Sequence, residues 1–111
     1  MATDERTVAL ILDRLSAIED VSARKMFGEY GLSCGGKHVG VICNDRLYIK
    51  PTAPGRAIAG PVAEEPPYRG AKPSLLVDAE RWDDTEWLTR LVTATAAALP
   101  LTKPKRKPAG G

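Results

Sequence analysis

The stretch from Arg24 to Lys50, RKMFGEYGLSCGGKHVGVICNDRLYIK, constrains the fold more than any other part of the chain. Two tight-turn dipeptides divide it. Gly35-Gly36 suits a two-residue hairpin that needs positive φ, and Asn44-Asp45 suits a second, because both residues tolerate the left-handed region. The β-branched and aromatic residues between them predict strands from about Arg24 to Cys34, from Lys37 to Cys43 and from Arg46 to Lys50, a three-stranded antiparallel meander over 24–50. Two-residue loops pair Cys34 with Lys37 and Cys43 with Arg46, and this register puts Tyr30, Val41 and Tyr48 in one cross-strand row. Gly28 and Gly31 mark a bulge or a close backbone approach within the first strand. A bulge near Gly28 moves the residues of that strand from one face to the other.

A meander needs a covering layer. Residues 3–19 place Val8, Ile11, Leu12, Leu15 and Ile18 on one helical stripe, with Thr3 as the expected N-cap and Asp4 and Glu5 in the first turn. Thr52, Pro54 and Gly60 bracket a short helix over 53–59. Prolines 61, 66, 67 and 73 exclude helix from the next segment and leave at most an edge strand around Tyr68. Consecutive Leu75, Leu76 and Val77 make 74–78 a buried strand that joins the meander. The last helix, 84–99, begins at Asp83 or Asp84. With Asp83 as N-cap, Glu86 completes a capping box, and Trp87, Leu88, Leu91, Val92, Thr95 and Leu99 supply the apolar face. The expected architecture is α+β in two layers, an antiparallel sheet of about four to five strands beneath helices.

Residues 1–101 suffice for one domain, and 102–111 read as a disordered basic tail. The longest apolar run, Val8 to Leu12, is too short to span a bilayer, and acidic Asp4 and Glu5 stand where a signal peptide is basic. A cytoplasmic protein without membrane association is expected. The net charge of +2 includes four cations of the tail, Lys103, Lys105, Arg106 and Lys107; without them the body carries −2 and is not uniformly basic. Between Arg24 and Arg56, however, six basic residues face only Glu29 and Asp45, so any anion-facing surface belongs there.

Cys34, His38 and Cys43 are the first candidates for metal or thiol chemistry. In the expected register the two cysteines share a face, roughly 20 Å apart along the middle strand, while His38 points to the other face. That geometry forms neither a disulfide nor a four-ligand zinc site, so two reduced structural cysteines, no metal and no cofactor are expected. Glu19-Asp20, Glu64-Glu65 and Asp83-Asp84 each have a structural role available, and one histidine must serve every acid–base scheme. The expectation is a protein that is not an enzyme. GEYGLSCGG leads into a strand and not a helix, which removes a phosphate-cradling role for its glycines.

The Tyr30, Val41, Tyr48 row, flanked by Arg46 and Lys50, has two readings. Helices cover it, burying the tyrosine rings while the cationic ends reach solvent; alternatively the rings stack the bases of single-stranded nucleic acid and the cations hold phosphates. The candidate nucleic-acid or partner contacts are Arg24, Lys25, Tyr30, Arg46, Tyr48 and Lys50, with tail residues Lys103, Lys105, Arg106 and Lys107 adding salt-sensitive affinity. Which face the helices cover decides between these readings.

The run Arg24-Lys25-Met26-Phe27-Gly28-Glu29-Tyr30-Gly31-Leu32, then Gly36, then Asp45-Arg46-Leu47-Tyr48-Ile49-Lys50-Pro51, resembles the N-terminal domain of the TfoX/Sxy family. Tyr68-x-Gly70-Ala71-Lys72-Pro73 and Trp82-Asp83-Asp84 resemble the later part of its small stand-alone members, so the resemblance runs nearly to Pro100. It implies an α+β fold with antiparallel strands and flanking helices, comparable to secretion-chaperone-like folds. It also implies a part in regulating transcription, where family members promote natural competence together with the cyclic-AMP receptor protein. A protein partner from the transcription machinery is therefore expected, with nucleic acid and self-association as further options. The longer regulators carry a second, helical domain without a counterpart in this sequence, and the family offers no catalytic residues to carry over.

Overall fold

The computed structural model describes residues 3–26 and 29–99. Its six strands are β1 (Val21–Met26), β2 (Glu29–Cys34), β3 (Lys37–Cys43), β4 (Arg46–Ile49), β5 (Glu64–Glu65) and β6 (Ser74–Val77). They form one antiparallel sheet in the order β1-β2-β3-β4-β6-β5. Three helices, α1 (Glu5–Arg14), α2 (Ala53–Ala59) and α3 (Thr85–Ala98), pack on one face of it, which makes the protein a two-layer α+β fold.

Both turns of the meander lie where the dipeptides place them. Gly35 and Gly36 have φ of 61° and 80°, Asn44 and Asp45 of 56° and 61°, and Cys34 pairs with Lys37 and Cys43 with Arg46. The segment expected as one strand from Arg24 to Cys34 is instead two. The chain reverses so that Met26 lies opposite Glu29, and β1 becomes an edge strand. The bulge anticipated near Gly28 falls outside the described residues.

A bulge does occur one strand further on. Ser33 pairs with His38 but Leu32 pairs with Gly40, so Val39 has no partner of its own. This one extra residue rearranges the rows. Tyr30 lies beside Ile42 and Leu47, while Val41 and Tyr48 align with Gly31. Gly40 is required at the bulge, because a Cβ there would fall 2.1 Å from the Tyr48 carbonyl oxygen.

Alternation then sorts the sheet into two faces. Leu32, Cys34, Val39, Ile42, Leu47, Ile49, Leu75 and Val77 join Val8, Ile11 and Leu15 from the N-terminal segment and Leu88, Leu91 and Val92 from α3 in the main core. Burying each of these aliphatic side chains contributes about 1.5–3 kcal/mol before the entropy of ordering is counted.

The helices differ from expectation chiefly at their ends. α1 runs from Glu5 to Arg14 and not over 3–19, with Asp4 as N-cap accepting a hydrogen bond from the Arg6 amide. Thr3 is buried, and its hydroxyl donates to the Ile42 carbonyl. After Arg14 the chain continues in turns that keep Leu15 fully buried. α2 matches 53–59, capped by Thr52, which accepts from the Gly55 amide at 3.0 Å. α3 is capped by Asp84 and not Asp83; Asp83 instead pairs with Arg14 at 3.0 Å, tying α1 to the start of α3. No strand forms at Tyr68; the edge strand in this segment is Glu64–Glu65.

Two indole donors fasten α2 and the Asp78–Trp82 turn. Trp87 Nε1 donates to the Ile58 carbonyl at 3.0 Å and Trp82 Nε1 to the Val77 carbonyl at 3.1 Å. Arg81 stacks 3.6 Å from the Trp87 ring centre and donates to the Ala59 carbonyl.

Candidate functional site

All three helices lie on one face; the other carries no helix, and the 67–73 loop closes against part of it. Its central row is Arg24, Gly31, Val41, Tyr48 and Leu76, read across β1, β2, β3, β4 and β6. Val41, Cys43 and Tyr48 form a second small core, with Leu76 packed against it and no helical residue joining. Gly31 brings no side chain to this row, and the space is taken by the Met26 methyl and the His38 ring, 2.9 and 3.1 Å from where a Cβ would lie.

The expected contact residues divide between the faces. Arg24, Arg46 and Tyr48 occupy the helix-free face, with Arg24 and Arg46 exposed and Tyr48 buried at 4% exposure. Tyr30 and Lys25 pair with each other on the opposite face, where Tyr30 packs against the main core. The row expected to hold Tyr30, Val41 and Tyr48 therefore does not exist. The unpaired Val39 has moved β2 by one residue relative to β3, and the two tyrosines cannot stack neighbouring bases from one surface. Lys37 is withdrawn from the basic fringe because its ammonium donates to the Ala96 carbonyl at 2.9 Å, near the carbonyl-rich end of α3. Lys103, Lys105, Arg106 and Lys107 lie outside the described residues.

Lys50 leads to a feature the sequence did not signal as a site. A cleft of about 390 Å³ opens at the end of the sheet where β3 and β6 begin and β4 finishes. Its chemically active lining is His38, Lys50, Tyr68, Lys72 and Ser74, and apolar walls come from Val41, Leu99 and several prolines. No carboxylate lines it, and among the described residues neither Lys50 nor Lys72 forms an ion pair. Tyr68 is 47% exposed. Burial, reinforced by the Lys50 charge, pushes the His38 pKa below its ordinary 6.5, so the ring is neutral at pH 7 and keeps one N–H donor and one acceptor. Neither Tyr68 nor Lys72 is legible as a site residue from periodicity, because their segment has none. The available signal was an aromatic ring and a lysine in an otherwise proline-bound loop, with Gly70 at φ 87° shaping it.

The bulge also changes the account of the cysteines. Cys34 belongs to the main core and Cys43 to the small cluster on the other face, beside which His38 lies; the expected register puts both cysteines on one face, far apart along it, and His38 on the other. Both thiols are free and buried. Burial raises the pKa of each, with Asp20 adding to the effect at Cys34 and Glu29 at Cys43, so neither is an activated thiolate at neutral pH. Among the described residues no three of His, Cys, Asp or Glu gather to hold a metal ion, and no helix is long and apolar enough to cross a membrane.

The family model of the TfoX N-terminal domain matches residues 13–99, from the last turn of α1 to the end of α3. A protein of Spirochaeta aurantia, described as an uncharacterized 12.7 kDa protein in the trpE 5′ region, is 37% identical over 96% of this chain and 91% of its own length.

Proposed function

The chain belongs to the TfoX N-terminal domain family, and from that premise we propose that it is a small, non-enzymatic cytoplasmic module that regulates by binding a partner protein through its helix-free sheet face. The observation that carries this reading is the segregation of the helices. They cover most of one face of the sheet and leave the other with a small buried cluster of Val41, Cys43 and Tyr48, against which Leu76 packs, beside exposed Arg24, Met26 and Arg46. Exposed cations and Met26 around a buried apolar base suit a modest, largely polar interaction surface. The absence of activated thiols supports a binding role over catalysis. The finer reading, a transcription co-regulator of the competence type, follows from the family alone.

The test is affinity capture with the wild-type chain and with an Arg24→Glu/Arg46→Glu variant, both sites being exposed. Recovery of a transcription regulator by the wild type and its loss from the variant is the expected result. Equal recovery by both would move the contact off this face.

Direct single-strand binding is the second reading, and Arg24, Arg46 and Lys50 still support it by sharing the helix-free side. It requires affinity that falls with salt and with the same charge reversals. Affinity indifferent to both removes it.

A further inference from the structure

We propose that the cleft between the His38–Lys50 end of the sheet and the Pro67–Pro73 loop is a binding site for a small phosphate monoester carrying a single ring. The inference does not depend on partner binding, although the cleft adjoins the same helix-free face and shares Val41 with its small cluster.

Shape comes first. At about 390 Å³ the cleft lies at the small end of the range for ligand sites, enough for one ring and a charged head group. Its walls give two kinds of contact. Val41, Pro51, Pro67, Pro73 and Leu99 are apolar, and Tyr68 adds an exposed aromatic surface, so a ring is a better occupant than a hydrated inorganic ion.

Charge settles the head group. Lys50 and Lys72 both line the cleft, no acidic side chain opposes them, and neither is neutralised by an ion pair among the described residues. Two ammonium groups entering from different elements, one after β4 and one in the loop, suit the spread charge of a dianion. His38 and Ser74 supply further polar groups, and a neutral His38 donates without adding charge.

The same grouping explains why the site is not simply a solvated lysine patch. Burial and, secondarily, the Lys50 charge disfavour protonation of His38, whereas a bound dianion favours it. His38 is the only histidine of the chain, so its ring resonances report on the cleft without ambiguity.

The experiment is an NMR titration of the full chain with phenyl phosphate, following the His38 ring and the amides of Lys50, Ala71 and Lys72. Saturable shifts below about 10 mM, with the His38 titration midpoint moving upward, are expected. Inorganic phosphate and benzoate should each bind about tenfold more weakly, the first for want of a ring and the second for want of a second charge. Lys72→Gln, at an exposed loop position, should weaken phenyl phosphate about fivefold, and Tyr68→Ala should erase the preference over inorganic phosphate. Non-saturating shifts, equal binding of benzoate, or a Lys72→Gln variant that binds as well as wild type would each overturn the proposal. Failure to capture a protein partner leaves these titrations unchanged, so the two readings fail separately.

Discussion

The Asp45 carboxylate accepts a hydrogen bond from the Thr7 hydroxyl at 2.9 Å, across 38 positions of sequence, and the same oxygen accepts from the Asp4 amide at 2.8 Å. The second meander turn thus anchors the first turn of α1. Asp45→Ala removes the acceptor of both bonds and places alanine at φ 61°, and should cost about 2 kcal/mol in urea unfolding. Asp45→Asn, which tolerates that backbone and keeps an acceptor oxygen, should lose less than half as much.

Gly40 and Gly31 provide a matched pair. A Cβ at Gly40 would meet the backbone oxygen of Tyr48, which cannot move without breaking the β3–β4 ladder, whereas at Gly31 the nearest atom is the flexible end of Met26. Gly40→Ala is expected to destabilise by about 3 kcal/mol and Gly31→Ala by under about 1 kcal/mol, measured as shifts in denaturation midpoint.

His38 makes stability depend on pH with a definite sign. Its folded pKa lies below the ordinary 6.5, chiefly through burial and secondarily through Lys50. Between those two values the unfolded chain binds more protons than the folded one, so stability falls as pH drops through the window and is restored above 6.5. Denaturation midpoints taken from pH 7.5 down to 5 should show a slope that His38→Gln reduces.

The two thiols should be slow to react. Both are buried and both have raised pKa values, so at pH 8 a disulfide reagent should label the native chain far more slowly than the chain in urea. Rapid labelling of Cys43 without denaturant would show that the small apolar cluster opens readily.

Much of this architecture is legible in the residues. Gly35-Gly36 and Asn44-Asp45 require positive φ, and they fix the pairing beside each turn by local chemistry alone. Thr52, Pro54 and Gly60 likewise define α2 with local signals. The Val39 bulge has no such signal. Three apolar or small residues in succession, Val39, Gly40 and Val41, satisfy either alternation, and only the packing of helices on one side selects between them. The division of Arg24–Cys34 into two strands was hidden for a related reason, since a glycine within an extended run fits a bulge as well as a reversal. The cleft was less accessible still. It joins His38 and Lys50 to Tyr68 and Lys72 across the β4–β6 neighbour relation, which no spacing within the chain encodes.

The Val39 bulge also gives β3 one residue to spare. Val39 and Gly40 both turn toward the core, while the pairs on either side of the bulge, Ser33 with His38 and Leu32 with Gly40, continue one ladder. Removing Val39 would leave Lys37, Gly40 and Ile42 alternating inward opposite Cys34, Leu32 and Tyr30, at the cost of one fully buried side chain, whereas one more residue there would need a second bulge to keep both faces. A loop such as Pro66–Pro73 has no comparable arithmetic and can vary in length while the sheet stays in phase. The middle of this fold can thus lose one residue without reversing a face, and the rim of its cleft can change in length and alter what the cleft admits.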